Sequence, residues 1–378
     1  METFFTQSNV PVNSCILVND AETARKFPVG DIVLGFCDEC GFIRNLAFDP
    51  ALTEYSGRYE ETQGFSPTFN RFHSKLAEDL IERHDLYNKR VIEIGCGKGE
   101  FLALICKLGN NQGLGFDPSY DPDRGVLEGL PQVDVRREFF GPTSGTQDAD
   151  AVVCKMTLEH IQQCADFVMA SRRALDAGPE TLAFFQIPES LRILKDCAFE
   201  DVYYEHCSYF TPGSAARLFR SVGFTVNRLD VTYGGQYLTL EASNEAPDAC
   251  RTQVNEDSVD EVRGYVQNFD ARYAEKKQFW RETVAETEGG PTVIWGSGSK
   301  GVSFLHTLHE PDAVAAAVDI NPNRQGNYML GTGQPIVSPQ ALLEIRPSLI
   351  IVMNAIYEKE ITETCADLGV DADIVSLR

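Results

Sequence analysis

Tyr203, Glu205 and His206 place a phenol, a carboxylate and an imidazole within four consecutive positions. Imidazole, with an ordinary pKa of about 6.5, accepts a proton at neutral pH. A neighbouring carboxylate or phenol orients the ring or steadies negative charge as it develops, so the trio reads as a general-base constellation. Thr211 reads as the N-cap of a helix carrying Ala215, Ala216, Leu218 and Phe219. The trio therefore sits on a loop just before a helix, where it can overhang a cleft.

A second constellation lies upstream. Val91, Ile92 and Ile94 form the short apolar run of a buried parallel strand. Gly95, Gly97 and Gly99 follow as a turn that lets backbone approach a ligand, and Phe101, Leu102, Leu104, Ile105 and Leu108 recur at helical spacing. Gly113 to Phe116 predicts the next strand, with Asp117 at its end to accept hydrogen bonds from ribose hydroxyls. The loop is G-x-G-x-G, with Glu93 two residues before it, whereas a pyrophosphate loop is G-x-G-x-x-G. This pattern resembles motif I of the class I S-adenosylmethionine-dependent methyltransferases. The resemblance implies a Rossmann-like α/β domain that binds S-adenosylmethionine through Glu93, Gly95, Cys96, Gly97, Gly99, Asp117 and Pro118. A strand over Ala151–Cys154 predicts a loop at its C-terminal end that carries Lys155, Glu159 and His160 to the same cofactor. Leu158-Glu159-His160 resembles that family's pattern as well, although His160 also reads as a helix-start residue that only packs. Tyr55 and Tyr59, on the aromatic segment before a helix over 67–86, are candidate pocket residues.

Further strands are expected over 181–189, 224–226 and 236–242, the last two as the closing hairpin of the methyltransferase sheet. A polar connector over 246–288 carries a long helix with Val262, Val266, Phe269, Tyr273 and Phe279 as its apolar stripe. From Val293 a second, smaller Rossmann-like α/β domain begins. Its loop, Gly296-Ser297-Gly298-Ser299-Lys300-Gly301, has true G-x-G-x-x-G spacing, and a strand ends in Asp319. By fingerprint alone this half binds NAD, and the protein reads as an oxidoreductase.

The Tyr203-x-Glu205-His206-x-Ser208-Tyr209-Phe210 stretch resembles the matching loop of the C-methyltransferases that act on nucleotide-linked 4-keto-deoxyhexoses. Trp295-Gly-x-Gly-x-Lys300-Gly301 and Asp319-x-Asn321-Pro322-x-x-Gln325-Gly326 resemble their C-terminal domain. The resemblance implies a small-molecule partner, a nucleotide-linked sugar, with His206 as base. Glu205, Tyr203 and Tyr59 would belong to the catalytic set. Tyr55, Tyr209, Gly296, Gly298, Lys300 and Asp319 would contact substrate. O- or N-methylation of another small molecule would use the same base. The family also carries an N-terminal zinc-binding segment. Here the segment over 1–54 has Cys37-x-x-Cys40, with Cys15 as third ligand, and all histidines lie at or beyond His73. The domains expected are thus 1–54, 55–245, 246–288 and 289–378.

Composition narrows the partners. The chain has 378 residues, is 43% hydrophobic and carries a net charge of -23. That charge argues against a nucleic-acid or anionic-membrane partner. No run is long and apolar enough for a bilayer. The start lacks a basic segment before an apolar core, and several of the eleven cysteines fall inside core elements, so a cytoplasmic enzyme with reduced thiols is expected.

Overall fold

The computed structural model describes residues 1–377 apart from 57, 142–143, 145–146, 176–180 and 246–251. The expected boundary after residue 245 falls at the edge of the last of these stretches, with Glu245 described and 246–251 outside the described residues.

The central sheet has seven strands. In spatial order they are Thr225–Thr232, Tyr237–Ser243, Leu182–Pro188, Ala151–Lys155, Arg90–Ile94, Gln112–Phe116 and Val133–Arg136. Tyr237–Ser243 runs antiparallel to both neighbours and the other contacts are parallel. The two parallel strands Ala151–Lys155 and Leu182–Pro188 are buried on both faces, which is why Ala-Val-Val-Cys and Leu-Ala-Phe-Phe-Gln-Ile show no polar alternation. Strand order reverses between Arg90–Ile94 and Ala151–Lys155, and crevices for ligands open at such reversals, beyond the C-terminal strand ends. The expected closing hairpin is present.

A second sheet holds five parallel strands in the order Ile336–Val337, Ala316–Val318, Thr292–Trp295, Leu349–Val352 and Asp373–Ser376. Its reversal falls between Thr292–Trp295 and Leu349–Val352. The expected single connector helix is two, Val259–Val266 and Phe269–Ala285. Phe279 leaves the stripe and is 57% exposed, while Trp280 is buried. Seven residues on from Tyr273 is nearly two full turns, so position 280 returns to the buried face and 279 falls about 100° short of it.

The N-terminal residues form an antiparallel sheet of Glu2–Pro11, Val29–Phe36 and Ile43–Asn45. Its fourth strand is Ser208–Tyr209, from the Tyr-x-Glu-His loop. This segment shares its core with Leu191, Ile193, Val202 and Tyr204. Ile16 and Val18 enter the core of the five-stranded sheet instead.

The helix behind the loop, Pro212–Ser221, opens with a capping box at Thr211. Buried Asp257 fastens it, accepting from Thr211 Oγ1 and from Gly213 N, each at 2.8 Å. Asp257→Ala leaves two buried donors unpaired and should lower unfolding free energy by about 2 kcal/mol, read from the urea midpoint at unchanged slope.

Candidate active site

The two reversals face one another across a single cleft of about 260 Å³. Met156, Pro188, Gln236 and Tyr237 line it from the seven-stranded sheet. Gly296, Gly298, Lys300 and Asp319 line it from the five-stranded one, so the four expected substrate positions of the C-terminal half share one wall. Tyr203 lines it as well.

Both glycine loops are pinned in the same way. Gly95 N donates to Phe116 O, and Gly296 N to Val318 O, each at 2.8 Å. Asp117 Oδ2 accepts from Gly97 N at 2.9 Å, and Oδ1 from Ser119 N at 2.7 Å. Asp319 likewise accepts from Ser297 N at 3.0 Å and Asn321 N at 2.8 Å. The acid at each strand end thus shapes its own loop. A Cβ at Gly95 would meet Thr157 Oγ1 at 2.0 Å, so only glycine lets the loops after the two central strands touch.

Residues expected at the cofactor divide. Cys96 turns its thiol onto Gly115, behind the loop, leaving only its backbone forward. Pro118 is a half-buried turn residue. Lys155 leaves the cleft: Nζ lies 2.6 Å from His73 Nε2 and 4.1 Å from the Phe101 ring centre. Burial lowers its pKa to about 8, and burial raises that of neighbouring Glu93 to about 8. Lys155 thus points toward His73 and Phe101 on the neighbouring helices, with the charge of Glu93 favouring its ammonium.

Glu205 and His206 are adjacent in sequence and point apart. Glu205 is buried and accepts from Asn13 Nδ2 at 2.9 Å, from Ser14 N at 2.8 Å, and from the Ser14 hydroxyl. Tyr59 bonds to it too. It does not orient His206, contrary to the sequence expectation. The partners of His206 are elsewhere. The Tyr203 ring centre lies 4.0 Å from its own, that of His160 4.8 Å, and Glu159 Oε1 sits 4.0 Å from Nε2. Among the described residues none hydrogen-bonds the His206 ring. Burial, then the neighbouring His160, hold its pKa well below the ordinary value, so the ring is a neutral base. It does not reach the cleft wall; Tyr203 lies over it. His160 Nδ1 meets the Tyr55 hydroxyl at 2.9 Å, and Tyr55 and Tyr59 rings are 5.4 Å apart. Both carboxylate oxygens of Glu159 are buried without a partner, and burial raises its pKa to about 8.

Tyr209 is not a cleft residue. Pairing with Ile43 turns it into the core of the N-terminal sheet, where its hydroxyl donates to Tyr203 O at 3.4 Å. Lys300 pairs with Asp201, which also holds Arg192. Burial opposes the charge of Asp201, but Lys300 and Arg192 outweigh it and bring the pKa to about 2. Asn13, Ser14 and Arg324 carry no signal in the sequence, because each acts through a partner far along the chain.

The three-cysteine zinc site does not form. Cys37 and Cys40 cap the hairpin between Val29–Phe36 and Ile43–Asn45, where Gly41 N donates to Cys37 O. Cys15 lies at the cleft, its sulfur 3.3 Å from Arg324 Nη2. Among the described residues the only cluster of three donors is Glu159, His160 and His206. Two thiols do not close a structural zinc shell.

Residues 69–229 match a methyltransferase-domain family, and 236–371 match the C-methyltransferase C-terminal domain. The C-methyltransferase NovU of Streptomyces niveus is 26% identical over 314 residues, covering 76% of this chain and 72% of NovU. By these matches the chain is an S-adenosylmethionine-dependent methyltransferase with a C-methyltransferase C-terminal domain. The oxidoreductase reading of that domain falls. Among solved structures, the N1-methyltransferase for 1,6-didemethyltoxoflavin from Burkholderia thailandensis aligns at 14% identity with a TM-score of 0.40, covering 57% of this chain and 99% of that one. Magnesium protoporphyrin IX methyltransferase from Synechocystis PCC 6803 aligns at 16% identity with a TM-score of 0.38, covering 47% and 84%.

The methyltransferase offers its donor a fitting site. Among the described residues, Glu61 Oε2, both Glu159 oxygens and Gln186 Oε1 are buried acceptors without hydrogen-bond partners. Such a set suits a cation, and S-adenosylmethionine is one at its sulfonium and its ammonium.

His160 supplies a pH test. Burial lowers its pKa from 6.5 to about 4. Between those values the unfolded chain holds a proton that the folded site refuses, so stability falls as pH drops. In His160→Gln the loss of unfolding free energy between about pH 7 and pH 5 should be smaller by about 2 kcal/mol, measured by urea titration at both values.

Proposed function

We propose that this methyltransferase adds a methyl group to the carbon beside the ketone of a nucleotide-linked keto-deoxysugar, with His206 as the base. The observation that carries the reading is the state of His206: buried, neutral, and free of hydrogen bonds from described residues. A proton next to a ketone is only weakly acidic, so its removal calls for a positioned base and a donor on the enolate oxygen. Tyr203 is both the cover of His206 and the phenol on the cleft wall. When its ring turns aside, the imidazole nitrogen reaches the substrate carbon and the hydroxyl reaches the oxygen. Tyr59, bonded to Glu205, helps hold that carboxylate away from His206. The proton taken by His206 ends beside the carboxyl of Glu159, whose Oε1 lies 4.0 Å from Nε2. The enolate carbon is then the nucleophile.

S-adenosylmethionine, when bound, supplies a methyl group on a sulfonium that leaves without acid assistance. The loop Gly95–Gly99, Asp117 and the acceptors around Glu159 would hold it. Gly296, Gly298, Lys300 and Asp319 would take the nucleotide end of the sugar. The Lys300–Asp201 pair ties that wall to the catalytic loop, and fixing both reactants in one cleft supplies much of the acceleration.

The test is proton exchange. A thymidine diphosphate-linked 4-keto-6-deoxyhexose is incubated with the enzyme and S-adenosylhomocysteine in deuterium oxide. The wild type should wash deuterium into the carbon beside the ketone. His206→Ala should slow both exchange and methyl transfer by about a hundredfold or more, with S-adenosylhomocysteine affinity within about twofold of wild type. Exchange that survives in the variant would remove His206 from the base role. Methyl transfer to a hydroxyl without exchange would replace the carbon reading by the oxygen one.

A further inference from the structure

The segment Tyr59–Glu61 runs between the two glycine loops, and its carboxylates are held differently. Glu60 is committed: Oε1 accepts from Asn321 Nδ2 at 2.9 Å and Oε2 pairs with Arg124. Its backbone carbonyl takes a bond from Arg324, and the Tyr59 carbonyl takes one from Lys98 Nζ at 3.1 Å. The backbone is thereby pinned to the five-stranded half on one side and to the first glycine loop on the other.

Glu61 is not committed. A Cβ at Gly97, where φ is 54°, would meet its Oε1 at 2.5 Å, so the carboxylate lies directly over the loop. Lys98 Nζ stands 3.7 Å from Oε2, outside hydrogen-bond reach, and donates instead to the carbonyls of Tyr59 and Ser119. Oε2 is shut off from solvent and accepts no hydrogen bond, while 32% of the side-chain surface remains on the cleft wall. Burial raises its pKa to about 7. A fixed, unsatisfied acceptor over a loop made for close approach suits a cationic hydrogen-bond donor.

The methyl donor carries two cationic groups, and only the α-ammonium donates hydrogen bonds. We propose that Glu61 anchors the α-ammonium of the donor's methionine part. The inference rests on S-adenosylmethionine as donor. The pinned backbone holds the carboxylate still, so the anchor is set before the donor arrives.

Calorimetric titration of wild type and Glu61→Gln with S-adenosylhomocysteine and with 5′-methylthioadenosine tests it. The second ligand keeps adenine, ribose and sulfur but lacks the amino-acid part. Glu61→Gln should weaken S-adenosylhomocysteine about tenfold or more and leave 5′-methylthioadenosine unchanged, which also reports an intact fold. Unchanged S-adenosylhomocysteine affinity overturns the proposal. A parallel loss of both ligands, with wild-type circular dichroism, would assign Glu61 to the ribose and overturn it too. If the wild type binds neither ligand, the donor assignment itself falls.

Discussion

A buried carboxylate has to be satisfied, and at Glu205 that requirement organises the site. Three donors from Asn13 and Ser14 converge on it. They draw the N-terminal segment onto the loop, and the short strand Ser208–Tyr209 completes the attachment by pairing with Ile43–Asn45. With Glu205 turned to the N-terminal side, the next residue, His206, faces the opposite way, toward Glu159 and His160. The N-terminal sheet therefore holds the Tyr-x-Glu-His loop by direct hydrogen bonds and by a shared core, and it does so without a three-cysteine metal centre.

The second constraint is topological. Two sheets of parallel strands each reverse order once, and each reversal opens a crevice at its C-terminal strand ends. Because the crevices face each other, Met156 beyond one reversal and the C-terminal glycine loop beyond the other line one cleft, and Glu61 on its wall reaches over Gly97 of the first glycine loop. Each loop is stapled by its own aspartate, Asp117 or Asp319, so the shape of both loops is set by the protein itself. The Tyr59–Glu61 segment and the Lys300–Asp201 pair then cross-link the walls.

Desolvation decides protonation around that cleft. It keeps His206 neutral, raises the carboxyl of Glu159 and lowers the ammonium of Lys155. Groups of both kinds are thus driven toward their uncharged forms.

Much of this was local and hence legible in the chain. Apolar runs bounded by glycine loops announced the parallel strands, Thr211 announced its helix, and the G-x-G-x-G spacing with Asp117 distinguished a methyl-donor loop from a pyrophosphate loop. The Tyr-x-Glu-His cluster also marked the place of the site. What the sequence left open was direction. Glu205 and His206 differ by one position and diverge because partners some 190 residues away claim one of them. Tyr209 turned into a core because a strand from residues 43–45 paired with it, and Lys155 left the cleft because Glu93 and His73 sit behind it. Cys15 parted from Cys37 and Cys40 because its chain segment packs against the five-stranded sheet. Residue types and spacing determined which chemistry this chain carries; long-range burial and pairing decided which side chain faces which, because the free energy of satisfying a buried group depends on neighbours that only the folded chain brings together.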